Sequence, residues 1–255
     1  MLKRLGSALA RKTPLRWYVA NKLTRMQLIQ YAVDHLGART YLEIGVDEGE
    51  SFSAIRAPIK IGVDPVEPRP AVQTELRRQG SSYFAATSDD FFERHAAGVL
   101  AEGVDVVFVD GLHTYQQTYR DIQHSLKYLN PGGVILVHDC LPASAQEACA
   151  AATYEEAGRL NGPDWNGLWT GDAWKSIVAT RAGHLSGQAL VLECDHGVGV
   201  VYHGAQPPPL ALSLADIDAL DYDALIASPA KWLGLCPPAQ LRRIIGQLRR
   251  VRGTA

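Results

Sequence analysis

The chain has 255 residues, of which 47% are hydrophobic and 20% are charged. This balance is typical of a globular protein, and the length is sufficient for one large α/β domain whose core needs no disulfide. The formal net charge of −2 at pH 7 excludes a global positive field, so we expect no nucleic-acid partner. No apolar run approaches the roughly 20 residues of a membrane span, and the start lacks the apolar region of a secretory signal.

The chain contains four cysteines, and no two of them form a C-x-x-C pair. The sequence therefore indicates neither a zinc knuckle nor a thiol redox motif. Free thiols in a chain without an export signal are typical of a reducing compartment, so we expect a cytoplasmic protein.

A basic lead-in forms the start of the chain, which we place at residues 1–37. Its first 25 residues carry seven lysines and arginines and no acid. Apolar residues recur at helical spacing over residues 16–36, which predicts an amphipathic helix that leads into the domain. The basic ends suit a solvated helix, an anionic membrane surface or a contact within a homo-oligomer, and the sequence leaves these open.

Four short apolar runs follow, each rich in β-branched residues and closed by glycine or a polar residue, as buried parallel strands are. Helical composition over residues 71–79 and 114–129 separates them, and a Pro-Gly-Gly sequence ends the second helix. Alternation of this kind predicts an α/β fold with a Rossmann-like, doubly wound sheet. The four runs are residues 41–44, 59–63, 104–109 and 134–137.

The last part of the chain has a different pattern. After a helix over residues 172–181, two strand-like runs at 189–193 and 198–203 are joined by a short loop that contains glycine, which predicts an antiparallel hairpin. The prolines at 207–209 then break the chain, and residues 213–252 have helical composition. We therefore divide the chain into a lead-in, a domain over residues 38–205 and a helical tail over residues 206–255.

The chemistry is expected beyond the carboxyl ends of the strands, where open α/β sheets bind their ligands. All four predicted strands finish in acidic or glycine residues, which solubility alone explains poorly. These strand ends are Glu43-Ile44-Gly45, Asp64, Asp110 and His138-Asp139.

The first strand end opens a loop in which Gly45 and Gly49 allow a tight turn and a close approach to a ligand. Ser51 follows as a candidate helix cap, and Asp64 comes 21 residues after Glu43, as an acid that binds a ribose does. The spacing is G-x-x-x-G, which disfavours NAD. Acids crowd this loop and would repel a pyrophosphate, whereas a sulfonium and an ammonium group would be attracted.

These segments resemble the class I S-adenosylmethionine (SAM)-dependent methyltransferases, in order and over roughly residues 38–203. Leu42 to Ser51 is similar to their first motif, Asp64 to their ribose-binding acid, and Thr87-Ser88-Asp89-Asp90 to the segment that flanks the adenine. Residues 107–115 and 130–139 resemble a branch related to macrocin-type O-methyltransferases of sugars and antibiotics. The resemblance implies that SAM contacts Glu43, Gly45, Gly49, Ser51, Asp64, Ser88, Asp89 and Asp110. Asp47 departs from the pattern, since many relatives have glycine there.

Methyl transfer to oxygen requires removal of the acceptor proton, by a general base or by a metal that lowers the hydroxyl pKa. Asp110, His138 and Asp139 at adjacent strand ends are candidates for a magnesium or manganese site, and histidine suits manganese, iron or zinc better than magnesium. His113 is the alternative base, because an ordinary histidine titrates near pH ~6.5. We therefore take Asp110, His113, His138 and Asp139 as the catalytic candidates.

The long insertion at residues 140–170 predicts a lid or binding loop. Trp165 and Trp169 would stack there on an acceptor or anchor the loop, and Lys175 is expected at the surface. The sequence as a whole favours a SAM-dependent O-methyltransferase that acts on a sugar or another small natural product. An N-methyltransferase and a catalytically silent SAM-binding module are the alternatives.

Overall fold

The computed structural model describes residues 23–204 and 209–253. Residues 1–22, which include most of the basic lead-in, lie outside the described residues, as do the prolines at 207 and 208. Among the described helices, none is both long and apolar enough to cross a membrane.

The first described helix, α1, spans Arg25–Leu36. It begins at Arg25 because Thr24 has extended backbone and accepts a hydrogen bond from the N–H of Gln27, whose side chain reaches back to the N–H of Thr24. Gly37 ends it in the left-handed conformation. The predicted helix over residues 16–36 was therefore too long at residues 23 and 24, and its residues 16–22 lie outside the described residues.

A seven-stranded sheet with the order β3-β2-β1-β4-β5-β7-β6 forms the centre of the fold. Strands β1 to β5 pair in parallel, whereas β7 is antiparallel to both β5 and β6. The predicted mostly parallel sheet with an antiparallel hairpin is therefore confirmed. The strands are β1 (Thr40–Ile44), β2 (Ile59–Asp64), β3 (Ser82–Ala85), β4 (Val104–Val109), β5 (Leu129–Val137), β6 (Gln188–Leu192) and β7 (Val198–Tyr202).

Strand β3 was missed by the sequence analysis. All four of its residues are partly or fully exposed, because it lies at the end of the sheet and pairs with β2 alone. It therefore lacks the apolar run that marks the buried strands.

Helices cover both faces of the sheet, and successive residues of each strand face opposite layers. One buried layer contains Phe91, Ile122 and Trp174, and the other contains Ile29 and Phe52. The helices between the strands are α2 (Glu50–Ala54), α3 (Pro70–Arg78), α4 (Ser88–Arg94), α5 (Ala96–Val99), α6 (Tyr115–Tyr128), α7 (Tyr154–Asn161) and α8 (Trp174–Arg181).

The C-terminal segment is helical, as predicted, but it forms four helices. The last of them buries Leu241, Ile244, Ile245 and Leu248 in the layer that contains α1. This helix also packs against β5, so the tail completes one face of the sheet. The four helices are α9 (Leu214–Asp218), α10 (Tyr222–Ala227), α11 (Pro229–Leu233) and α12 (Gln240–Arg252).

Candidate active site

The carboxyl ends of the parallel strands meet along one edge of the sheet, where their loops enclose a cavity of about 680 Å³. The structure brings eight of the predicted site residues to its wall, whereas Glu43, Gly49 and Asp89 are not part of the wall. The eight are Gly45, Ser51, Asp64, Ser88, Asp110, His113, His138 and Asp139.

The loop after β1 fits closely against the loop after β4. Gly45 has a φ of +86°, and a Cβ atom there would lie 2.1 Å from the backbone oxygen of Asp110. Gly49 also has a positive φ, and a Cβ atom there would lie 2.7 Å from Val72. Only glycine meets both requirements at Gly45. Gly49 therefore shapes the loop without forming part of the cavity wall, and its contact with a ligand stays a prediction.

Asp47 also has left-handed backbone, with a φ of +46°. Aspartate tolerates this conformation better than most residues, which explains how the chain follows a turn where many relatives have glycine. The N–H of Asp47 donates to Asp64 Oδ2 at 2.9 Å, and the N–H of Val66 donates to Oδ1 at 2.8 Å. These two donors fix the nearly buried carboxylate of Asp64 at the cavity wall.

Glu43 lies beneath the cavity and is fully buried. Its carboxylate accepts hydrogen bonds from the Tyr41 hydroxyl and, at 2.5 Å, from Ser51 Oγ. Burial raises the pKa of Glu43 to about 7, although both hydroxyl donors oppose the shift. Glu43 therefore holds Ser51 at the wall, and its own contact with a cofactor stays a prediction.

The loop after β3 forms a third part of the wall through Thr87 and Ser88. Ser88 Oγ donates to Asp121 Oδ1 at 2.6 Å. Asp89 instead lies outside the cavity, where its carboxylate pairs with Arg120 at 3.3 Å. The structure thus separates these two neighbours, because α4 begins at Ser88 and successive helical residues point in different directions.

Four titratable side chains meet at the ends of β4 and β5. His113 Nε2 lies 3.5 Å from Asp110 Oδ1 and 3.3 Å from Asp139 Oδ2. His138 Nδ1 lies 3.2 Å from Asp110 Oδ1 and 3.3 Å from Asp139 Oδ1. We call these four residues the carboxylate–histidine cluster.

The carboxylates and histidines of this cluster stabilise one another's charged forms, which burial disfavours. Burial lowers the pKa of both histidines, but the two carboxylates outweigh it and raise the pKa of His113 to about 9 and that of His138 well above its ordinary value. Burial likewise raises the pKa of Asp110 and Asp139, but the histidines hold both below the ordinary range. At neutral pH the cluster therefore holds paired positive and negative charges.

The cluster also fits a divalent cation. One ligand atom each from Asp110, His113 and Asp139 can be chosen within 4.8 Å of one another. His113 Nδ1 lies 2.8 Å from the backbone oxygen of Trp169, an outer contact that leaves Nε2 as the ligand atom. The ligand set predicted from the sequence was Asp110, His138 and Asp139. His113 replaces His138 in the set found here, because the loop after β4 folds back and brings His113 next to the two carboxylates.

Comparison with known proteins agrees with this geometry. Residues 42–140 match the family model described as a methyltransferase domain. We refer to this matched part of the chain as the methyltransferase domain, after the family model. It contains β1 to β5 and therefore most of the cavity wall.

One curated protein shares part of this sequence. The chain is 30% identical over 112 residues to the uncharacterized protein R132 of Acanthamoeba polyphaga mimivirus, a match over 39% of this chain and 51% of that protein. The chain thus spans about half the length of this curated relative.

Solved structures share the fold of the methyltransferase domain. A protein assigned as a caffeoyl-CoA O-methyltransferase from Staphylococcus aureus is 12% identical, with a TM-score of 0.51, and the match covers 72% of this chain and 86% of that one. An O-methyltransferase from Bacillus cereus in complex with SAH is 15% identical, with a TM-score of 0.45 and coverage of 76% and 93%. The fold is therefore a Rossmann-like methyltransferase fold.

Two residues beside the cavity, Arg25 and Asp195, were not predicted from the sequence. Arg25, the first residue of α1, lies 3.7 Å from Asp110 and 3.8 Å from Asp195, and its backbone N–H donates to Asp195 Oδ2 at 2.5 Å. Asp195 belongs to the β6–β7 turn and lies 3.9 Å from His138 Nε2. In sequence, Arg25 is one of many basic residues and Asp195 a hairpin residue, so only the fold could select them.

The insertion after β5 packs upon itself beside the methyltransferase domain. Trp169 is buried against Ala151 and Ala157, and Trp165 packs on Gly158. Neither tryptophan lines the cavity, which favours the anchor interpretation over acceptor stacking. The expectation of a surface Lys175 was wrong, because Lys175 is buried and pairs with Asp172 at 3.3 Å.

Proposed function

We propose that this chain transfers the methyl group of SAM to a hydroxyl oxygen of a small acceptor, a sugar or another natural product. The observation that carries the proposal is the continuity of the cavity. One space of about 680 Å³ is lined both by the loop of Gly45 and Asp64 and by the carboxylate–histidine cluster. A cofactor held at the loop would therefore present its reactive group near the cluster.

The cofactor end supplies the contacts that an adenosyl group needs. The fixed carboxylate of Asp64 accepts hydrogen bonds and so suits the two hydroxyls of a ribose. Glu48 and Glu50 also line this wall, where they pair with Arg69 and Arg25. Carboxylates at this wall suit a sulfonium and an ammonium group, and the G-x-x-x-G spacing of the loop disfavours NAD.

The cluster serves the acceptor. Its carboxylates accept a hydrogen bond from an acceptor hydroxyl and so orient the oxygen for in-line attack, which contributes several kcal/mol to such reactions. His113 can accept the hydroxyl proton only after it loses its own, because its pKa is about 9 when only the carboxylates surround it. A neutral His113 would leave the negative charges of Asp110 and Asp139 without the positive charge of the imidazolium. A metal cation bound at Nε2 would supply that positive charge instead.

We therefore include a divalent cation, held by Asp110, His113 and Asp139, in the proposal. When bound, such an ion lowers the pKa of an acceptor hydroxyl. The mixed oxygen and nitrogen ligands favour manganese, iron or zinc over magnesium. His138, behind the carboxylates, would hold them in place through Nδ1.

Calorimetric titration of the full chain with S-adenosylhomocysteine and, separately, with NAD tests the cofactor. We expect S-adenosylhomocysteine to bind and NAD to leave no heat of binding. The reverse pattern would remove the whole proposal.

The reaction is tested with labelled SAM and a panel of sugar and phenolic acceptors, with and without chelation and with manganese or zinc restored. We expect label on a hydroxyl oxygen and loss of turnover after chelation. Transfer to nitrogen would replace O-methylation with N-methylation, and turnover that survives exhaustive chelation would remove the metal. Tight cofactor binding without any transfer would favour the silent module.

The acceptor class rests on the resemblance of residues 107–115 and 130–139 to macrocin-type enzymes. We infer that the acceptor enters past Leu112, which is exposed and lines the cavity next to His113. A product found only with protein or nucleic-acid acceptors would contradict the small-molecule proposal.

A further inference from the structure

A second buried acid lies at the cavity, outside the carboxylate–histidine cluster. Asp121 is on α6, is 1% exposed and lines the cavity beside Ser88 and Gln117. It belongs to none of the motifs recognised in the sequence. It lies in the second turn of a helix, where the residues around it form an ordinary amphipathic pattern.

The two oxygens of Asp121 have different surroundings. Oδ1 accepts hydrogen bonds from Ser88 Oγ at 2.6 Å and from Gln117 Nε2 at 3.0 Å. Within the described part of the chain, these two hydrogen bonds are the ones that the Asp121 carboxylate accepts. Oδ2 points past Gly111, where a Cβ atom would lie 3.7 Å from it, and Gly111 also lines the cavity. Oδ2 is therefore a free hydrogen-bond acceptor at the cavity wall.

The position of this acceptor follows from the order of the strands. Along the edge of the sheet, the loop after β3 lies at one end, Asp64 after β2 comes next, and Asp110 and Asp139 lie beyond β1. A cofactor whose reactive group is at the cluster and whose ribose is at Asp64 places its base near Thr87 and Ser88. Asp121 borders that place through Ser88.

We infer that Asp121 accepts a hydrogen bond from the exocyclic amine of the adenine and so selects an adenosyl cofactor. Asp89, the acid that the sequence places in the adenine segment, is turned away and pairs with Arg120. The inference rests on the proposed function, since it assumes an adenosyl ligand in this cavity.

The electrostatics of Asp121 agree with this role. Burial raises the pKa of Asp121 to about 6, with a smaller contribution from Asp89, while the hydrogen bonds from Ser88 and Gln117 and the charge of Arg120 oppose the shift. At neutral pH the carboxylate is thus ionised but poorly solvated. A donor from a ligand would replace the missing water, and such buried acceptors discriminate strongly against a ligand without the donor.

The experiment compares S-adenosylhomocysteine with S-inosylhomocysteine, in which a carbonyl oxygen replaces the amine. Calorimetry measures both ligands on the full chain, on Asp121→Asn and on the control Glu93→Gln, an exposed acid on α4 outside the cavity. The Asn side chain can keep its carbonyl toward Ser88 and Gln117, so that its amide donor replaces Oδ2 at the wall. Thermal unfolding of each variant checks that it is folded.

We expect the wild-type chain to bind S-adenosylhomocysteine at least tenfold more tightly than the inosyl analogue. Asp121→Asn should lose at least tenfold for the adenosyl ligand and reverse the preference, because an amide donor suits the carbonyl of the analogue. Glu93→Gln should stay within about twofold of wild type. An unchanged preference in Asp121→Asn, or an equal loss in Glu93→Gln, would overturn the inference while the proposed function stands.

A second measurement needs no variant. In the wild-type chain, the preference for the adenosyl ligand should fall as the pH is lowered from 8 to 5, because protonation of Asp121 removes the acceptor. Asp89 and Arg120 are the charged groups that face it, and Asp89→Asn reports their share. A preference that is constant over this range also overturns the inference, whereas a wild-type chain that binds neither ligand defeats the proposed function itself.

Discussion

The cofactor end of the cavity is held mainly by the backbone, whereas the reaction end is held by charged side chains. At the cofactor end, N–H groups fix Asp64 and a positive φ at Gly45 brings two loops together. At the reaction end, Asp110, Asp139 and two histidines are buried and stabilise one another. The cofactor end therefore tolerates the loss of a side chain in another part of the cavity. At the reaction end, removal of any one of the four side chains leaves an unpaired buried charge.

The largest expected effect is on the reaction end. Asp139→Asn should lower kcat/KM for methyl transfer by about 10³-fold, because the orienting charge and its hydrogen bonds are lost. Asparagine tolerates the left-handed backbone of Asp139, whose φ is +57°, so the fold should persist. The affinity for S-adenosylhomocysteine should change less than threefold, and a parallel loss of that affinity would contradict the division between the two ends.

The second effect tests the backbone contact at the cofactor end. Gly45→Ala should destabilise the fold by about 3 kcal/mol, since it combines a strained φ with overpacking against Asp110. Gly98→Ala is the matched control, because a Cβ atom there has nothing within 4 Å. Urea unfolding of both variants measures the difference, and equal stability of the two would show that the loop yields easily.

The third effect isolates one side chain of the cofactor end. Asp64→Ala should weaken S-adenosylhomocysteine by about 30-fold, as two hydrogen bonds to a charged acceptor are lost. Glu67→Ala, on the same loop but outside the cavity, is the control. Calorimetry decides the matter, and unchanged affinity in Asp64→Ala would exclude the ribose role.

The smallest effect concerns the buried support beneath the loop. Because the folded-state pKa of Glu43 is raised from its ordinary value of 4.5 to about 7, the folded state binds the proton more tightly than the unfolded state. Its contribution to stability is therefore favourable at low pH and declines as the pH rises from 4.5 through 7. Glu43→Gln should flatten this decline and gain about 1 kcal/mol at pH 8. Urea unfolding at pH 5 and pH 8 measures it, and a decline of equal slope in both proteins would assign the pH dependence to other groups.

The same contrast explains how far the sequence was predictive. Buried strands and glycine turns are local patterns, so β1, β2, β4, β5 and the terminal hairpin could be predicted. Edge strand β3 could not, because its residues are exposed. The domain division stays a prediction, although α12 covers the sheet together with α1.

For the site, the strand-end residues were predictable because parallel strands carry their ends to one edge. The roles within the site were less so. Whether Ser88 or Asp89 faces the cavity depends on where α4 begins, and the choice between His113 and His138 as a ligand depends on how a loop returns. Arg25, Asp121 and Asp195 lie in segments whose local sequence shows no catalytic or binding motif. Only tertiary contacts place these residues at the site.

The position of β7 has a consequence for the order in which the molecule is assembled. β6 precedes β7 in the chain, yet β7 takes the inner place and pairs with β5 on one side and β6 on the other. During synthesis, β6 must therefore wait for β7 before it joins the sheet through this pairing. The β6–β7 turn carries Asp195, which ties the first helix to the mouth of the cavity. The matched methyltransferase domain ends some sixty residues earlier in the chain, so Asp195 and its contact with Arg25 are added after the four residues of the carboxylate–histidine cluster have been synthesised.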